Sequence, residues 1–330
     1  MIISKEREKM GTDIKVSVIC CAYNQEQYIE DALKGFVSQK TDFDFEVLIS
    51  DDASTDQTPD IIRRYEKEYP ELIKPLYLTE NQYSKGIYPG VLLMEKAQGQ
   101  YYALCEGDDY WTSDHKLQRQ FDALEMHPEC DMCAHSALKV RPHDCKPIGM
   151  IEPMKEDGIL SMEKVIDGGG DFIATNSLFF RKSIVQNPAS YTRLYAIDYA
   201  YQMGGAARGG IVYLQETMSA YRRGADNSWT VLMMNSQKDL RINYINKMIK
   251  MLDLVNEETE YKYQDSIQHA QLKYEFQKDT LNRDIRSVYS KKYSDLRDQM
   301  SSKRKTILFL QCFAPWSLRL YQKTKKVKSS

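Results

Sequence analysis

Residues 106–109, Glu-Gly-Asp-Asp, are the part of the sequence whose side chains could most clearly do chemistry. They follow residues 101–105, an apolar run with the length and composition of a buried strand. Two ionised carboxylates ~5 Å apart repel each other by roughly 3 kcal/mol at an effective dielectric constant of ~20. Oxygen ligands on a tight turn suit a hard ion such as Mg²⁺ or Mn²⁺, held together with a substrate phosphate. The alternative is a solvated turn that caps the next helix.

Two earlier predicted strands also end in residues that could bind a ligand. The first strand covers residues 14–21, which are nearly all apolar, and the second covers residues 45–49. The residues that follow these strands are Tyr23 and Asn24, then Asp51 and Asp52. Strands that alternate with amphipathic helices over short connections predict a doubly wound α/β sheet, in which ligands bind beyond the carboxyl ends of the strands.

Composition divides the chain into two predicted regions. Residues 225–314 contain neither Gly nor Pro, which favours long helices. We therefore expect one α/β domain over residues 1–230 and a helical extension with a basic, aromatic tail over residues 231–330. Within the first region, residues 141–170 are expected to form loops over the site, and residues 172–181 have the character of a strand.

Charge and apolar runs bear on the location of the protein. Residues 299–330 carry eight basic and no acidic residues, which against the net charge of −2 leaves −10 for residues 1–298. No run reaches the ~18 apolar residues that span a bilayer, and the N-terminus lacks the apolar region of a signal peptide. These patterns predict a cytoplasmic protein with no nucleic-acid partner. Its tail either meets an anionic membrane surface, on the inner face, or packs on the protein.

The seven cysteines are odd in number, and their spacing does not suggest a disulfide framework. Cys130 and Cys133 have the spacing of half a zinc site, and His127 and His135 lie near them in the sequence. Residues 132–138 nevertheless predict a strand, and no second close pair of ligands follows. Buried thiols are therefore favoured over structural zinc.

Three segments, taken in order, resemble the family 2 glycosyltransferases of GT-A fold. The first two are residues 18–26, Val-Ile-Cys-Cys-Ala-Tyr-Asn-Gln-Glu, and residues 50–58, Ser-Asp-Asp-Ala-Ser-Thr-Asp-Gln-Thr. The third is the acidic turn at residues 106–109, and the match covers about residues 14–230. The resemblance implies a doubly wound mixed sheet that binds a nucleotide sugar, followed by a helical C-terminal extension.

The resemblance also implies a role for each matching residue. Asp52, with Asp51 beside it, would hydrogen-bond the base of the nucleotide. Asp108 would approach the ribose, and Asp109 would ligate Mg²⁺ or Mn²⁺ on the diphosphate. The residues expected to line the rest of the nucleotide pocket are Ala22, Tyr23, Asn24, Glu26 and, in a separate loop, Lys85.

Asp198 is similar in its context to the acidic residue that acts as general base in this family. An ionised Asp can take a proton from an acceptor hydroxyl. One base on the face opposite the leaving group implies inversion at the anomeric carbon. Relatives often carry Glu-Asp where this chain has Ile197 and Asp198, so a single carboxylate is present. The alternative is that Asp198 only caps its helix.

Two departures from the family pattern concern the metal. Glu106 stands where relatives often have Asp, and Gly224 stands where relatives often have a His that helps to position the metal or the diphosphate. Arg222 or Arg223 could bind phosphate instead. These departures leave open whether the metal shell is complete.

The expected activity is metal-dependent transfer of one sugar, of the hexosyltransferase type, from a nucleotide sugar that we expect to be a UDP-sugar. The expected acceptor is a glycan or a lipid-linked sugar, in the synthesis of a surface polysaccharide. The Gln-x-x-Arg-Trp signature of processive synthases is absent, and so are the Gly-rich motifs of dinucleotide oxidoreductases and sugar nucleotidyltransferases. The alternative is a GT-A-like protein that binds a nucleotide sugar or glycan with little or no catalysis.

Overall fold

The computed structural model of the protein describes residues 13–195 and 197–314. The chain divides between Leu232 and Met233 into two compact units. The first unit contains a large sheet with helices, and the second unit is helical. Each unit is built around buried apolar side chains of its own.

The sheet of the first unit is mixed. Its strands are β1 (Val16–Ala22), β2 (Phe45–Asp51), β3 (Ile73–Tyr77), β4 (Tyr101–Leu104), β5 (Tyr110–Trp111), β6 (Met132–Val140), β7 (Pro147–Ile151), β8 (Gly158–Leu160), β9 (Phe179–Arg181) and β10 (Ile211–Arg222). The spatial order is β3-β2-β1-β4-β9-β6-β10-β5, with β7 paired to β6 and β8 paired to β10. Strands β1 to β4 are parallel to one another, whereas β9 is antiparallel to both β4 and β6.

Helices cover both faces of this sheet. The helices are α1 (Ile29–Val37), α2 (Thr58–Glu68), α3 (Pro89–Lys96), α4 (Lys116–Glu125), α5 (Met162–Gly168), α6 (Ser183–Gln186), α7 (Ser190–Tyr195) and α8 (Asp198–Ala206). Alternate residues of β1, such as Val18 and Cys20, share a buried cluster with Leu33 of α1. On the other face, the Tyr102 hydroxyl donates to the carbonyl of Met94 in α3 at 3.1 Å. The predicted doubly wound α/β sheet is confirmed.

Two segments differ from their predicted structure. Residues 141–170, predicted as loops, contain β7, β8 and α5, because two short strands pair with β6 and β10. Residues 172–181 are predicted as one strand, but only the three residues of β9 form a strand. Before β9 the chain forms a 3-10 turn at Thr175–Ser177. Local composition carries no information about these partners, which lie far away in the sequence.

The second unit consists of packed helices, as predicted. The remaining helices of the chain are α9 (Trp229–Asn235), α10 (Lys238–Glu258), α11 (Gln264–Asn282), α12 (Ile285–Val288), α13 (Ser294–Asp298) and α14 (Ser302–Phe313). Phe276, Val288, Tyr293 and Leu308 are among its buried core residues. In the described part of the chain, no helix is both long and apolar enough to cross a bilayer. Most of the predicted basic tail, residues 315–330, lies outside the described residues.

Candidate functional site

The ends of three parallel strands meet at one edge of the sheet. Ala22 at the end of β1 pairs with Asp51 at the end of β2, and β4 pairs with β1 on its other side. The backbone N–H of Asp52 donates to the carbonyl of Ala22 at 2.9 Å, and the N–H of Gly107 donates to the carbonyl of Cys21 at 3.0 Å. The structure therefore brings the three polar segments of the sequence together at the carboxyl edge.

Asn24 and Glu26 fasten the loop after β1 to the loop after β2. Asn24 Oδ1 accepts from the N–H of Thr55 at 2.8 Å, and Glu26 Oε2 accepts from the N–H of Gln57 at 2.9 Å. These two side chains, predicted to line a nucleotide pocket, thus hold the two loops together. Tyr23 lies between them in the sequence and is 38 % exposed, so its ring is free to contact a ligand.

The two neighbouring aspartates after β2 have different surroundings. Asp52 is buried, and its two carboxylate oxygens accept from the N–H groups of Gln82 at 2.7 Å and Tyr83 at 3.0 Å. It therefore holds the 3-10 turn Tyr83–Lys85 against the strand. Asp51 is also buried, but its Oδ1 has no hydrogen-bond partner among the described residues, and burial raises its pKa.

Lys85, predicted as a nucleotide-binding residue, lies at the end of that 3-10 turn and is exposed. Its ammonium group is paired with the carboxylate of Glu80, which is exposed as well. An exposed ion pair of this kind contributes little and exchanges readily. Lys85 can therefore exchange Glu80 for a more highly charged anion such as a diphosphate.

The acidic turn after β4 has one aspartate fixed by the protein and one with free acceptor positions. Asp109 is buried, with Oδ1 accepting from the backbone N–H of Arg222 at 2.8 Å and Oδ2 accepting from Asn176 Nδ2 at 2.9 Å. The carboxylate of Asp108 is half-buried and has no hydrogen bond to another described residue. A Cβ at Gly107 would lie 2.3 Å from Gln25 Oε1 and 2.7 Å from Ile29 Cδ1, so both side chains would have to move for a larger residue.

Burial raises the pKa values of all three carboxylates in this turn, and repulsion from neighbouring carboxylates raises those of Glu106 and Asp109 further. The pKa of Asp108 is raised to about 6 by loss of hydration. The pKa of Glu106 is raised to about 7, by burial first and then by the charges of Asp108 and Asp198, although Tyr88 donates to it at 2.8 Å. Burial and the charge of Asp108 raise the pKa of Asp109 well above its usual range.

This donor set fits a hard divalent cation. It consists of oxygen atoms only, and a bound cation would relieve the repulsion among the carboxylates. Among the described residues, however, no three His, Cys, Asp or Glu side chains are arranged to hold a metal by themselves. A divalent ion at Asp108 and Asp109 would therefore need further oxygen ligands, which a substrate diphosphate can supply.

Arg222, one of two residues considered for phosphate binding, is buried beside the acidic turn instead. Its Nη1 donates to the carbonyl of Asp108 at 2.9 Å, and its Nη2 is paired with the carboxylate of Asp31. The guanidinium lies 4.5 Å from the ring centre of Tyr110 and 5.3 Å from that of Tyr28. Arg222 therefore supports the turn and is not available to a phosphate, whereas Arg223 is exposed.

Asp198 is the first residue of α8 and faces the acidic turn. Its Oδ2 accepts from Thr175 Oγ1 at 2.8 Å, and its Oδ1 accepts from the backbone N–H of Tyr199 at 2.8 Å. Burial raises its pKa. Its negative charge in turn raises the pKa values of Glu106 and Tyr83, each of which is raised mainly by burial. Asp198 thus accepts a backbone N–H in the first turn of its helix, whose N-cap is Ile197, and also lies near the predicted metal-binding turn.

Three residues that were not predicted from the sequence hydrogen-bond to carboxylates of the site: Thr175, Asn176 and Tyr88. Thr175 and Asn176 lie in the segment predicted as a strand. One signal was present, because Thr-Asn-Ser interrupts an otherwise apolar run at residues 172–180. Buried polar residues of this kind usually have a specific hydrogen-bond partner.

The sequence is similar to known glycosyltransferases. The model of the family "Glycosyl transferase family 2" matches residues 17–187. A protein of Mycobacterium bovis, described as uncharacterized, is 39 % identical over 216 residues, covering 65 % of this chain and 60 % of that protein. TuaG of Bacillus subtilis, a putative teichuronic acid biosynthesis glycosyltransferase, is 41 % identical over 109 residues, covering 33 % of this chain and 41 % of TuaG.

The fold is similar to those of solved glycosyltransferases. TarS residues 1–349 of S. aureus in complex with UDP superposes with a TM-score of 0.54 and 16 % identity, covering 83 % of this chain and 92 % of that chain. The mannosyltransferase PcManGT of Pyrobaculum calidifontis, solved with GDP-Man and Mn²⁺, gives a TM-score of 0.51 and 14 % identity, covering 92 % and 88 %. These similarities confirm the GT-A fold.

Proposed function

Since the chain belongs to glycosyl transferase family 2, we propose that it transfers a single sugar from a nucleotide-sugar donor to a glycan or lipid-linked acceptor. The observation that carries this proposal is the meeting of the acidic turn and Asp51 at the carboxyl edge of one sheet, with Asp198 close enough for its charge to act on Glu106. TuaG, which takes part in teichuronic acid synthesis by its description, supports a surface polysaccharide as the product. The chain spans about three fifths of the length of its mycobacterial relative.

The donor is proposed to bind across the three strand ends. We propose that the nucleobase donates to Asp51 Oδ1, a buried oxygen without a partner among the described residues, while Asp52 holds the neighbouring turn in place. Tyr23 offers an exposed ring for stacking. We propose a UDP-sugar as donor, which the UDP complex of TarS supports, although PcManGT was solved with GDP-Man.

Asp108 and Asp109 are proposed to hold Mg²⁺ or Mn²⁺ together with the donor diphosphate. When bound, the ion would neutralise charge on the leaving nucleoside diphosphate. Asp108 has the free acceptor positions, and Asp109 already accepts two hydrogen bonds that fix its orientation. The geometry therefore favours Asp108 as the more accessible ligand, with Asp109 as a second one.

Asp198 is proposed to act as the general base. It would take the proton of the acceptor hydroxyl as the new glycosidic bond forms and the bond to the diphosphate breaks. A single base on the side opposite the leaving group gives inversion of the anomeric carbon. The pKa of Asp198, raised mainly by burial, makes the ionised carboxylate a stronger base than an ordinary Asp.

Thermal unfolding with UDP, GDP, TDP and CMP, each with Mn²⁺ or with EDTA, tests donor and metal together. We expect one nucleotide to raise the melting temperature more with Mn²⁺ than with EDTA, because a bound ligand stabilises the folded state. Asp108→Ala should remove this metal-dependent rise without lowering the melting temperature of the free protein. Asp109→Ala should remove the rise and lower that temperature too, because the N–H groups of Asn176 and Arg222 lose their acceptor. A metal-dependent rise that persists in both variants would contradict the proposed ion site.

The alternative is a GT-A-like protein that binds a nucleotide sugar with little or no catalysis. The observation that favours it is Gly224, an open position where relatives often carry a His. Release of nucleoside diphosphate from the donor by the wild-type protein would exclude this alternative. Binding without release or transfer under any metal condition would favour it.

We also propose that the second unit contacts an anionic membrane surface on the cytoplasmic side. Phe309 and Phe313 of α14 are 52 % and 50 % exposed, with ring centres 4.8 Å apart. Lys305 precedes Phe309 by four residues, so the three share one helix face. The neighbouring Lys303 and Arg304 are also exposed. Basic residues near an anionic leaflet contribute about 1 kcal/mol each, and aromatic side chains favour the interface.

A further inference from the structure

One short turn contacts both the proposed base and the proposed metal-binding turn. The 3-10 turn Thr175–Ser177 lies between two extended residues, just before β9. Thr175 Oγ1 donates to Asp198 Oδ2 at 2.8 Å. The next residue, Asn176, is fully buried, and its Nδ2 donates to Asp109 Oδ2 at 2.9 Å. Two adjacent residues therefore fix carboxylates that come from different parts of the chain.

The orientation of the Asn176 amide is determined by three contacts. Its Oδ1 accepts from Ser219 Oγ at 2.7 Å, and its Nδ2 donates both to Asp109 and to the carbonyl of Ala220 at 3.0 Å. A flipped amide would place its oxygen against the carboxylate and the carbonyl, which repel it. Ser219 and Ala220 thus ensure that Asn176 presents a donor to Asp109.

The turn itself is anchored to the core by its backbone. Trp111 Nε1 donates to the carbonyl of Asn176 at 3.2 Å, and Gln120 Nε2 donates to the carbonyl of Ser177 at 2.8 Å. Both donors are buried, as are Asn176 and Ser177. Because buried hydrogen bonds of this kind are costly to break, the turn is a rigid support.

We propose that Thr175 and Asn176 are positioning residues for glycosyl transfer, Thr175 orienting the Asp198 carboxylate toward the acceptor and Asn176 fixing Asp109 beside the donor diphosphate. This inference rests on the proposed function. Because both contacts come from adjacent residues of one turn, the spacing between the base and Asp109 depends on the geometry of this turn and of its two hydrogen bonds. Side chains held by such a supporting shell keep the precise positions that catalysis requires.

The contact with Thr175 has a consequence for the pH dependence of transfer. A hydroxyl that donates to the ionised Asp198 stabilises the charged form, so its removal raises the pKa of Asp198. The other titratable groups that face Asp198 are Asp171, Glu106 and Tyr83. They are unchanged when Thr175 is replaced. The base must be ionised, so the acidic limb of the pH–rate profile should move to higher pH.

The experiment compares Thr175→Val, which has the same shape without the hydroxyl, with Thr175→Ser, which keeps it. Release of the nucleotide is followed from pH 5 to 9 in full-length protein, with UDP-N-acetylglucosamine or another sugar donor whose nucleotide stabilises the wild type in the thermal panel. We expect the acidic limb of Thr175→Val to move up by about one pH unit, with about ten-fold slower release below the limb. Thr175→Ser should keep the wild-type profile. Coincident profiles for all three proteins would overturn the role of Thr175.

The role of Asn176 is tested by ligand-dependent stability. We expect Asn176→Ala to reduce the rise in melting temperature that UDP gives with Mn²⁺, whereas Thr175→Val keeps the full rise. If Asn176→Ala does not fold, Ser219→Ala removes the contact that orients the amide and should reduce the rise in the same way. A full rise in a folded variant would overturn the role of Asn176. Wild-type protein that releases no nucleotide from any donor would instead refute the proposed function, and with it this inference.

Discussion

At the scale of single residues, burial and a few neighbours together set the pKa of Asp198. Burial raises its pKa, while Thr175 and the N–H of Tyr199 limit the rise. The charge of Asp171 raises it further, although Asp171 is exposed and its effect is screened by solvent. Burial outweighs these two hydrogen bonds, so the pKa of Asp198 lies above its usual value and the ionised carboxylate is a stronger base than an unperturbed Asp.

Asp198→Asn should lower the rate of sugar transfer by ~10²-fold or more, because the amide cannot accept the proton of the acceptor hydroxyl. Binding of UDP with Mn²⁺, measured by thermal shift, should remain close to wild type. Asp171→Asn is the matched control. It removes a neighbouring negative charge, lowers the pKa of Asp198, and should move the acidic limb of the pH–rate profile to slightly lower pH. Near wild-type transfer by Asp198→Asn would place the base elsewhere.

At the scale of single elements, the loop after β2 contains a residue with an unfavourable backbone conformation. Ala53 has φ of 60°, in the left-handed region, because the loop turns sharply between Asp52 and Ser54. A residue with a Cβ is strained there by roughly 1 kcal/mol, whereas Gly is not. The loop keeps this conformation because Asn24 and Asp52 hold its two sides.

Ala53→Gly is therefore expected to raise the free energy of unfolding, by up to about 1 kcal/mol. The opposite exchange, Gly86→Ala, provides the control. Gly86 has φ of 81° with open space where a Cβ would be added, so only backbone strain should act, and it should destabilise by a similar amount. Urea unfolding followed by tryptophan fluorescence measures both. Loss of stability in Ala53→Gly would show that this backbone conformation is not retained.

A second feature at the scale of single elements is Lys116, the first residue of α4, which is fully buried. Its Nζ donates to Gln120 Oε1 at 2.6 Å and lies 4.2 Å from the ring centre of Trp111. Burial lowers its pKa to about 7. In the unfolded chain a lysine titrates near ~10.4, so between these values the unfolded state binds more protons than the folded state.

The free energy of unfolding should accordingly rise between pH 7 and 8.5, by up to about 1.4 kcal/mol per pH unit from this residue. Above that range the buried thiols, whose pKa values burial raises, begin to oppose the trend. Lys116→Met should remove the Lys116 contribution to the slope, whereas Lys96→Met, at an exposed position of α3, should keep it. Urea titrations at the two pH values decide the matter, and equal slopes for wild type and Lys116→Met would contradict the assignment.

At the scale of the whole molecule, the charges are divided along the chain. Residues 1–298 have a net charge of −10, and residues 299–330 carry eight basic residues. In α14 the exposed Phe309 and Phe313 accompany three of these charges, while Leu308 and Cys312 on the other side are buried. The helix therefore belongs to the core of the second unit and also presents an aromatic, basic face.

Full-length protein should sediment with vesicles that contain phosphatidylglycerol at low salt, and less at high salt, because the attraction is screened. Phe309→Ser with Phe313→Ser should weaken sedimentation, and removal of residues 315–330 should weaken it further while α14 stays in place. Tyr261→Ser, at a 58 % exposed position of the same unit, is the control and should sediment like wild type. Equal sedimentation of all these variants would show that this face does not bind the membrane.

The sequence by itself determined the fold class, the family and the meeting of three strand ends. These depend on patterns within short segments, namely apolar runs that predict β1 and β2, amphipathic helices after them, and polar or acidic residues at the ends of the strands. In a parallel sheet the carboxyl ends of neighbouring strands lie at one edge, so local patterns are enough to predict the site. The roles of the individual site residues stay predictions.

Only the tertiary structure decided which atoms of these residues remain free. Asp51 and Asp52 are adjacent and alike in sequence, yet a distant turn occupies both oxygens of Asp52 and leaves one of Asp51 without a partner. Asn176 contacts Asp109, which lies 67 positions away along the chain. Arg222 is buried and forms an ion pair with Asp31. Such contacts depend on strand pairing across the sheet, and no local pattern encodes them.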